Sequence, residues 1–349
     1  MSPVYKGAYT AIVTPFTKDG SEMDLEGLRQ LCEFQAEYGI SGIVSVGTTG
    51  ESPTLTWDEH HKAFGATFES VGSKVTVIAS TGSNSTIECV EGTRYAKNLG
   101  IRDALLVDPY YNGPSSLEIR REYLERVAAA FPDIKVIPYI IPGRCGTQLL
   151  PQDLAIANER HTNICAVKEA TGDFNNMKSI RKLCGDDFSI LSGDDDKTLQ
   201  MMLDPAIRSS GVISVISNVA PKAVQEMCHN VLKGNNEQAE TVANALQPLF
   251  DIVTVKTVEE TKRGQVAFKA RNPLPIKTLM GVLGMPGGPP RPPLGKLTKQ
   301  GLNIVLNKAR EAHSKHSELF ESITSFFDVD VAERLTNDRY RQGWFYDDY

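Results

Sequence analysis

The stretch NICAVKEATGD, residues 163–173, shows the unit from which this chain is built. A short apolar run, residues 164–167, ends on Lys168, and small and polar residues follow before the next amphipathic segment. This pattern is typical of a buried strand that leads into the start of a helix. Because lysine is rarely buried without a partner, a lysine at the end of such a strand needs a chemical explanation.

The same unit recurs along the chain. Eight apolar runs start about 24 to 32 residues apart, which is the length of a strand, a helix and two loops. The runs cover residues 11–13, 43–46, 75–79, 104–107, 136–141, 164–167, 188–191 and 212–216. Most of them are continuously apolar, as in a parallel sheet that is covered on both faces.

Helical signals fill the gaps between these runs. Thr56 and Glu59 have capping-box spacing, Asp173 stands where a helix would begin, and Gly100 where one would end. Eight strand–helix units predict an α/β fold of the (β/α)8 TIM-barrel type. An open doubly wound sheet is less consistent, because no glycine-rich phosphate-binding turn follows the first run.

The chain divides into three predicted parts. Residues 1–232 form the catalytic barrel, and residues 233–319 form a C-terminal helical region around a proline- and glycine-rich turn at 284–296. Residues 320–349 are a polar and aromatic tail of unknown role, for which packing on a neighbouring molecule and disorder are both open.

Composition excludes several classes of function. The chain has 349 residues, 37 Lys and Arg against 43 Asp and Glu, and a net charge of −6, which argues against a nucleic-acid surface. We find no apolar run long enough for a membrane helix and no secretory signal. The six cysteines form no CxxC pair and the histidines form no metal set, so we expect reduced thiols, no metal site and a cytoplasmic location.

Lys168 is the leading candidate for chemistry, because active sites of such barrels lie at the carboxyl ends of the strands. A dry, apolar pocket disfavours the charged ammonium and lowers its pKa, so that the free amine can attack a ketone and form a Schiff base. Strand alternation should turn Glu169 to the opposite face. The alternative is a structural lysine paired with Asp194 or another carboxylate.

Other candidates stand at neighbouring strand ends. The GTTG turn carries Thr48 and Thr49 and suits a small carboxylate, although a plain glycine-rich turn has the same sequence. Tyr139 would move protons beside a Schiff-base lysine, or be an ordinary core tyrosine. Arg144 would bind a second acidic substrate, or face solvent.

Taken together, the motifs resemble the dihydrodipicolinate synthase family of the class I pyruvate-aldolase superfamily, over residues 5–283. The matching pieces are AIVTPF (11–16), GIVSVGTTGES (42–52), TGSNST (81–86), DPYYN (108–112), PYIIPGRCG (138–146), VKEATGD (167–173), LSGDD (191–195), GVISV (211–215) and NPLPIK (272–277). Each is weak alone, but the order and spacing are specific. N-acetylneuraminate lyases of the same superfamily usually lack Arg144 and the paired tyrosines.

The resemblance implies a reaction and a set of roles. Pyruvate would form a Schiff base and condense with L-aspartate 4-semialdehyde to 4-hydroxy-tetrahydrodipicolinate, the first committed step of lysine and diaminopimelate biosynthesis, without a metal or organic cofactor. The implied catalytic residues are Lys168, Tyr139, Thr48 and Tyr111, with Tyr111 contributed by the neighbouring subunit of a homotetramer built from tight dimers. The implied substrate-binding residues are Thr49, Arg144, Gly193 and Ile213.

Members of the family that are inhibited by L-lysine carry a polar cleft between subunits. The matching positions here are Ser52, Trp57, His60, Asn84, Glu88 and Tyr110. Glu88 would pair with the ammonium of the ligand and Asn84 with its carboxylate. An ordinary polar dimer interface is the alternative.

Three features depart from the family pattern. Ile140 replaces an asparagine after Tyr139, the segment 250–271 is longer than usual, and the tail beyond residue 315 is extra. Two other functions stay open at this point, because a fold alone does not determine function. One is another Schiff-base pyruvate aldolase or keto-acid dehydratase, like N-acetylneuraminate lyase, and the other is a non-catalytic binding barrel.

Overall fold

Eight parallel strands close into one barrel in the computed structural model, which describes residues 3–348. The strands are β1 Gly7–Ala11, β2 Gly42–Ser45, β3 Thr76–Ser80, β4 Asp103–Val107, β5 Lys135–Ile140, β6 Ala166–Glu169, β7 Ser189–Ser192 and β8 Gly211–Ser214. Each strand pairs with the next along the chain, and β8 pairs with β1. The predicted TIM barrel is therefore confirmed.

The first strand lies earlier than its apolar run indicates. We expected it at residues 11–13, but β1 ends at Ala11 and is alongside β2 from Tyr9 onward. Tyr9 and Thr10 interrupt the apolar pattern, although both are buried. Burial by the closed barrel, and not hydrophobicity of the sequence, decides the position of this strand.

Helices cover the outside of the barrel and continue beyond it. The helices of the barrel are Leu25–Glu37, Trp57–Val71, Thr86–Leu99, Ser116–Glu118, Glu125–Ala130, Pro142–Cys145, Pro151–Arg160, Phe174–Cys184, Thr198–Leu203 and Pro221–Lys233, with a π-helical turn at Ile119–Leu124. Those that follow are Asn236–Phe250, Leu274–Leu283, Lys299–Lys315, Glu321–Phe327 and Val331–Thr336. Within residues 3–348 no helix combines the length and apolar character that a membrane crossing requires.

The predicted helix ends are present. Thr56 and Glu59 form a reciprocal capping box, and the Asp173 side chain accepts a hydrogen bond from the backbone N–H of Asn175 at 2.9 Å. Gly100 ends its helix in the left-handed conformation, at φ 105°. Local chemistry therefore sets where several of these helices begin and end.

The hydrophobic core has an inner and an outer layer, because successive side chains of a strand point to opposite faces. On β5, Ile137 and Tyr139 point into the barrel, whereas Val136 and Ile140 pack against the surrounding helices. The replacement of asparagine by Ile140 thus lies in the outer layer. On β6, the inward position of Ala166 places Lys168 inward as well.

A β-hairpin occupies part of the C-terminal region that we expected to be entirely helical. Residues 233–319 were predicted to be helical, but Thr254–Thr261 and Gly264–Arg271 form the antiparallel strands β9 and β10. Val255 and Ala270 are buried directly opposite each other, while their chain neighbours are exposed. This alternation has the two-residue period of a strand, so the helical expectation was wrong here.

The tail packs on its own chain. Val331 and Leu335 are buried, and Phe345 forms a backbone bridge with Leu297. The ring of Trp344 lies so close to Gly281 that a β-carbon there would be 1.9 Å from it. The largest core cluster includes residues from Ala8 to Leu335, and the three-part division of the chain stays a prediction.

One fully buried ion pair joins the C-terminal region to the barrel. The Lys277 ammonium donates to Glu51 Oε1 at 2.6 Å and to the Thr14 carbonyl at 3.0 Å, and both charged side chains are inaccessible to solvent. The other Glu51 oxygen accepts the backbone N–H of Arg291 at 2.8 Å. Removing either charge would leave the other buried without a counter-charge.

We expect Glu51→Gln to destabilise the protein by up to about 3–5 kcal/mol near neutral pH, because Lys277 loses its counter-ion and must either stay charged and unpaired or give up its proton. Adding Lys277→Met should cost less than the sum of the single changes, since no buried charge then remains. Urea unfolding measures both. The matched control is Lys308→Met, which removes an accessible pair with Asp251 and should cost at most about 1 kcal/mol. Equal midpoints for Glu51→Gln and this control would contradict the role of the buried pair.

Candidate active site

Lys168 lies at the carboxyl end of β6, beside Tyr139 of β5 in the register of the sheet. The side chain is 5% exposed, and its ammonium nitrogen is 4.1 Å from the centroid of the Tyr139 ring. Within the described residues it belongs to no ion pair, whereas the buried Lys277 does. The alternative of a structural lysine held by a carboxylate is therefore not what the structure has.

Burial controls the charge of this amine. Desolvation lowers the pKa of Lys168 to about 8, against the weaker opposing effect of Asp195 and Asp194. Arg144 contributes to the lowering. Asp195 is occupied elsewhere, since its Oδ2 accepts the backbone N–H of Val215 at 2.9 Å. About one tenth of the lysine is thus a free amine at pH 7, far more than at the ordinary pKa of a lysine, and this form is the nucleophile.

Glu169 does not neutralise its neighbour. Its carboxylate accepts hydrogen bonds from the side chains of Thr171 and Asn176, on the outer side of the barrel. Burial raises its pKa to about 7. The expected alternation of Lys168 and Glu169 across the strand is confirmed.

Tyr139 has a protonated hydroxyl, and its ring lies against the amine of Lys168. Burial raises its pKa to about 12, while Arg144 and a hydrogen bond with Thr48 act in the opposite direction. At neutral pH it therefore carries its proton and can donate it to a departing hydroxyl group. Thr48 and Tyr139 line the same cavity.

Asn272 connects two of the sequence-predicted site residues, Thr49 and Arg144. Its side-chain amide donates to Thr49 Oγ1 at 3.0 Å, and its backbone carbonyl accepts a hydrogen bond from Arg144 Nη2 at 2.9 Å. The Oδ1 atom of Asn272 is buried and has no partner. Asn272 opens the NPLPIK motif that we used for the resemblance, but we had not identified it as a site residue.

Gly193 and Ile213, two further predicted residues, occupy different parts of the barrel. Gly193 lines the cavity, and a β-carbon there would lie 2.7 Å from Ala170 Cβ and 3.3 Å from Lys168 Cε. Glycine therefore keeps room for the lysine side chain. The side chain of Ile213, whose backbone we expect along the site, points into the barrel core and is 1% exposed, and Val215 also lines the cavity.

The cavity above Lys168 has a volume of about 470 Å³ and includes residues from the hairpin. Thr48, Thr49, Tyr139, Arg144 and Gly193 all lie in its wall, so the structure brings together residues that the sequence places up to 145 positions apart. The additional wall residues are Val253, Thr254, Lys256, Lys269, Arg271 and Asn272. The segment 250–271 is longer than the family pattern and contains these basic residues. Both features are visible in the sequence, but no site residue was predicted from them.

Tyr111 is not part of this cavity. It is 94% exposed, adopts a left-handed backbone at φ 85°, and lines a separate surface depression with Asn84 and Tyr110. Within one chain the predicted relay from Tyr139 through Thr48 therefore ends at Thr48. An exposed tyrosine held in an unfavourable backbone conformation is consistent with a role outside its own chain.

Five of the six residues of the predicted lysine cleft form two groups, each held together by its own contacts. The Trp57 ring lies 4.6 Å from that of His60, whose Nε2 is 3.0 Å from the Ser52 carbonyl oxygen. On the other side, the backbone N–H of Tyr110 donates to Asn84 Oδ1 at 2.6 Å. Burial lowers the pKa of His60, and the hydrogen bond with Ser52 is the first of the effects that oppose this shift, with the charge of Glu88 the last. The Glu88 carboxylate itself accepts a hydrogen bond from the Ser83 hydroxyl.

A second, smaller cavity connects this region to the active site. It has a volume of about 190 Å³ and is lined by Ser52 and Tyr110 as well as by Thr48, Tyr139 and Arg144. Nδ1 of His60 is buried and has no hydrogen-bond partner among residues 3–348.

Comparisons with known proteins agree with this geometry. Residues 4–312 match the model of the dihydrodipicolinate synthetase family. A 4-hydroxy-tetrahydrodipicolinate synthase from Methanothrix thermoacetophila is 40% identical over 309 residues, which cover 87% of this chain and 97% of the relative.

Solved structures give the same result. The dihydrodipicolinate synthase of Cyanidioschyzon merolae with lysine bound superposes with a TM-score of 0.81 at 34% identity, covering 89% of this chain and 99% of that one. A monomeric dihydrodipicolinate synthase variant superposes with a TM-score of 0.79 at 33% identity, over 88% of this chain and 97% of that one. By sequence and by structure, this chain belongs to the dihydrodipicolinate synthetase family.

Proposed function

We propose that this protein condenses pyruvate with L-aspartate 4-semialdehyde to form 4-hydroxy-tetrahydrodipicolinate, the first committed step of lysine and diaminopimelate biosynthesis. The observation that carries the proposal is the buried amine of Lys168, which opens on a cavity and has no carboxylate partner among residues 3–348. The names of the relatives agree with this activity. The six free cysteines support a reducing compartment such as the cytoplasm.

Lys168 supplies the nucleophile. Its neutral amine attacks the keto carbon of pyruvate to give a carbinolamine, and loss of water then gives the Schiff base. The protonated imine draws electrons from the neighbouring methyl group, so that a proton leaves and an enamine forms. The enamine carbon attacks the aldehyde of the second substrate, and the iminium to Lys168 is restored. The amino group of the former semialdehyde then attacks this iminium carbon, which closes the ring as the bond to Lys168 breaks and the lysine amine is released.

Tyr139 supplies and recovers protons at this adduct. A pKa near 12 keeps its hydroxyl protonated, so it can protonate the departing hydroxyl of the carbinolamine and later the oxygen of the aldehyde. Thr48 would connect it to Tyr111 of the neighbouring subunit, because Tyr111 of the same chain is exposed away from the cavity. This requires at least a dimer, and we propose a homotetramer of two tight dimers.

The carboxylates of the two substrates would bind in different parts of the cavity. Thr48 and Thr49 would hold the pyruvate carboxylate, with Asn272 orienting the Thr49 hydroxyl. Arg144 lies nearer the entrance, tied by Asn272 but exposed, and would bind the carboxylate of the semialdehyde. We place the backbone of Ile213 and Gly193 along the same site.

A different aldolase on the same scaffold would share Lys168 and Tyr139 and differ in its acceptor. Activity assays with L-aspartate 4-semialdehyde and with N-acetylmannosamine distinguish these functions. A non-catalytic binding barrel would form no adduct with pyruvate. The paired tyrosines and Arg144 favour the semialdehyde.

The rate at which pyruvate is trapped on Lys168 by borohydride should rise with pH and level off above about 8, since only the free amine reacts. Below that pH the rate should change about tenfold per unit. Mass spectrometry with peptide mapping measures the adduct, and Lys168→Met is the control that should give none. An adduct on a different lysine, or an unmodified protein, would contradict the proposed function.

Arg144→Ala should lower kcat/KM for the semialdehyde roughly 10- to 100-fold, the value of a lost charge-assisted contact, and should leave pyruvate trapping nearly unchanged. Arg144→Lys keeps the charge without the fork geometry and should recover part of the loss. Steady-state kinetics and trapping on the same preparations measure both steps. Equal losses in the two steps would refute a role specific to the second substrate.

L-lysine is the regulatory ligand that we propose for the cleft around His60 and Glu88. A solved relative is described with lysine bound, and the two residue groups of the cleft adjoin the active-site cavity here. The carboxylate of Glu88 would hold the α-ammonium of the ligand and Asn84 its carboxylate.

We expect millimolar L-lysine to inhibit the enzyme, and Glu88→Gln to raise the half-inhibitory concentration at least about tenfold, because a charge-assisted contact is lost. Initial rates at increasing L-lysine measure this, and D-lysine serves as the control ligand. Unchanged activity of the unmodified enzyme at millimolar L-lysine would remove the proposal.

A further inference from the structure

The β9–β10 hairpin carries an unusual pair of like charges. Lys256 and Lys269 are directly opposite each other in the antiparallel register, so their side chains lie on the same face. Like charges in such a pair are destabilising. Arg271 follows on the same face, two residues after Lys269, and all three side chains are exposed.

The orientation of the hairpin directs these charges to the active site. Its other face is covered, with Val255 and Ala270 buried and Phe268 packed against the same core. The charged face instead forms part of the wall of the cavity above Lys168. The cations therefore stand at the entrance of this cavity and not on an unrelated surface.

Three hydrogen bonds fix the base of the hairpin to the site. Arg271 Nη1 donates to the Gly143 carbonyl at 3.0 Å, and Arg144 donates back to the Asn272 carbonyl at 2.9 Å. Asn272 in turn contacts Thr49 at 3.0 Å. The last strand of the hairpin is thus attached to the loop after β5, from which Arg144 projects.

Nothing in the described chain neutralises the two lysines. Between residues 3 and 348 neither ammonium donates a hydrogen bond or joins an ion pair. Glu259 lies on the opposite face, and Glu260 lies further along the hairpin, where it accepts a hydrogen bond from Gln265 at 2.6 Å. Arg271, Lys256 and Arg144 lower the pKa of Lys269 by repulsion, with Arg271 the largest cause.

The cavity as a whole is also positively charged. Its wall contains five cationic side chains and one carboxylate, namely Arg144, Lys168, Lys256, Lys269, Arg271 and Asp194. A cleft lined by one sign of charge concentrates the opposite sign of ligand. An anion would relieve the repulsion between Lys256 and Lys269.

We propose that Lys256 and Lys269 form an entrance anion site that captures the carboxylate of the second, acidic substrate before it reaches the enamine. The inference rests on the proposed function for the identity of that substrate. Pyruvate is bound deep in the cavity, at Lys168 and the threonine hydroxyls. Once it is attached, the hairpin cations face the acid that arrives next.

The test is the double variant Lys256→Gln with Lys269→Gln. Its kcat/KM for L-aspartate 4-semialdehyde should fall about tenfold at low ionic strength, through KM with kcat unchanged, and the difference should shrink to about twofold in roughly 0.5 M salt, where surface charges are screened. Pyruvate trapping should change less than about twofold, because its carboxylate binds elsewhere. Lys262→Gln with Arg263→Gln is the matched control, since these cations lie in the turn of the same hairpin and outside the cavity wall.

Two results would overturn the entrance site. One is an unchanged KM and salt dependence in the double variant, and the other is an equal loss in pyruvate trapping, which would indicate a general attraction of acids. Succinate binding to the borohydride-reduced pyruvate adduct, measured by calorimetry, separates this inference from the proposed reaction. If the semialdehyde is not a substrate, weaker succinate binding by the double variant than by the control still supports an anion site, and equal binding rejects it.

Discussion

The chemistry depends on one constraint, the burial of the Lys168 amine without an ion pair to any residue that the structure describes. The same chain contains two buried lysines, and they differ in whether a carboxylate bonds to the amine. Lys277 is held 2.6 Å from Glu51 and joins two parts of the fold. Lys168 has Asp194 and Asp195 nearby but bonds to neither, so desolvation lowers its pKa to about 8. Desolvation lowers the pKa of Lys277 to about 8 as well, so what distinguishes the two lysines is the carboxylate of Glu51, which accepts a hydrogen bond from Lys277 and occupies its amine.

The barrel makes this arrangement possible. A strand presents alternate residues to opposite faces, so Lys168 and Glu169 are adjacent in sequence but separated by the sheet. The neighbouring strand places Tyr139 beside Lys168 by register. Its raised pKa and the lowered pKa of Lys168 have the same physical origin, which is the removal of water from both groups.

The C-terminal region completes the site from outside the barrel. Asn272 contacts Thr49 and Arg144, and the hairpin before it carries Lys256 and Lys269 to the entrance. The site thus combines a deep, dry region for covalent chemistry with an exposed, positively charged entrance. Such a division suits the ordered use of two acids, in which the first is bound covalently and the second arrives by diffusion.

The sequence alone determined the eight strand–helix units, the helix caps at Thr56 and Asp173, and the position of Lys168 at the end of a strand, because these follow from short-range periodicity. It could not determine whether a carboxylate reaches Lys168, or that Asn272 meets Thr49 from 223 positions away. The predicted position of β1 was wrong and the hairpin was not predicted, since the burial of both depends on the closed barrel and on the helices that pack around it. Contacts between distant segments arise from packing, and only the tertiary structure decides them.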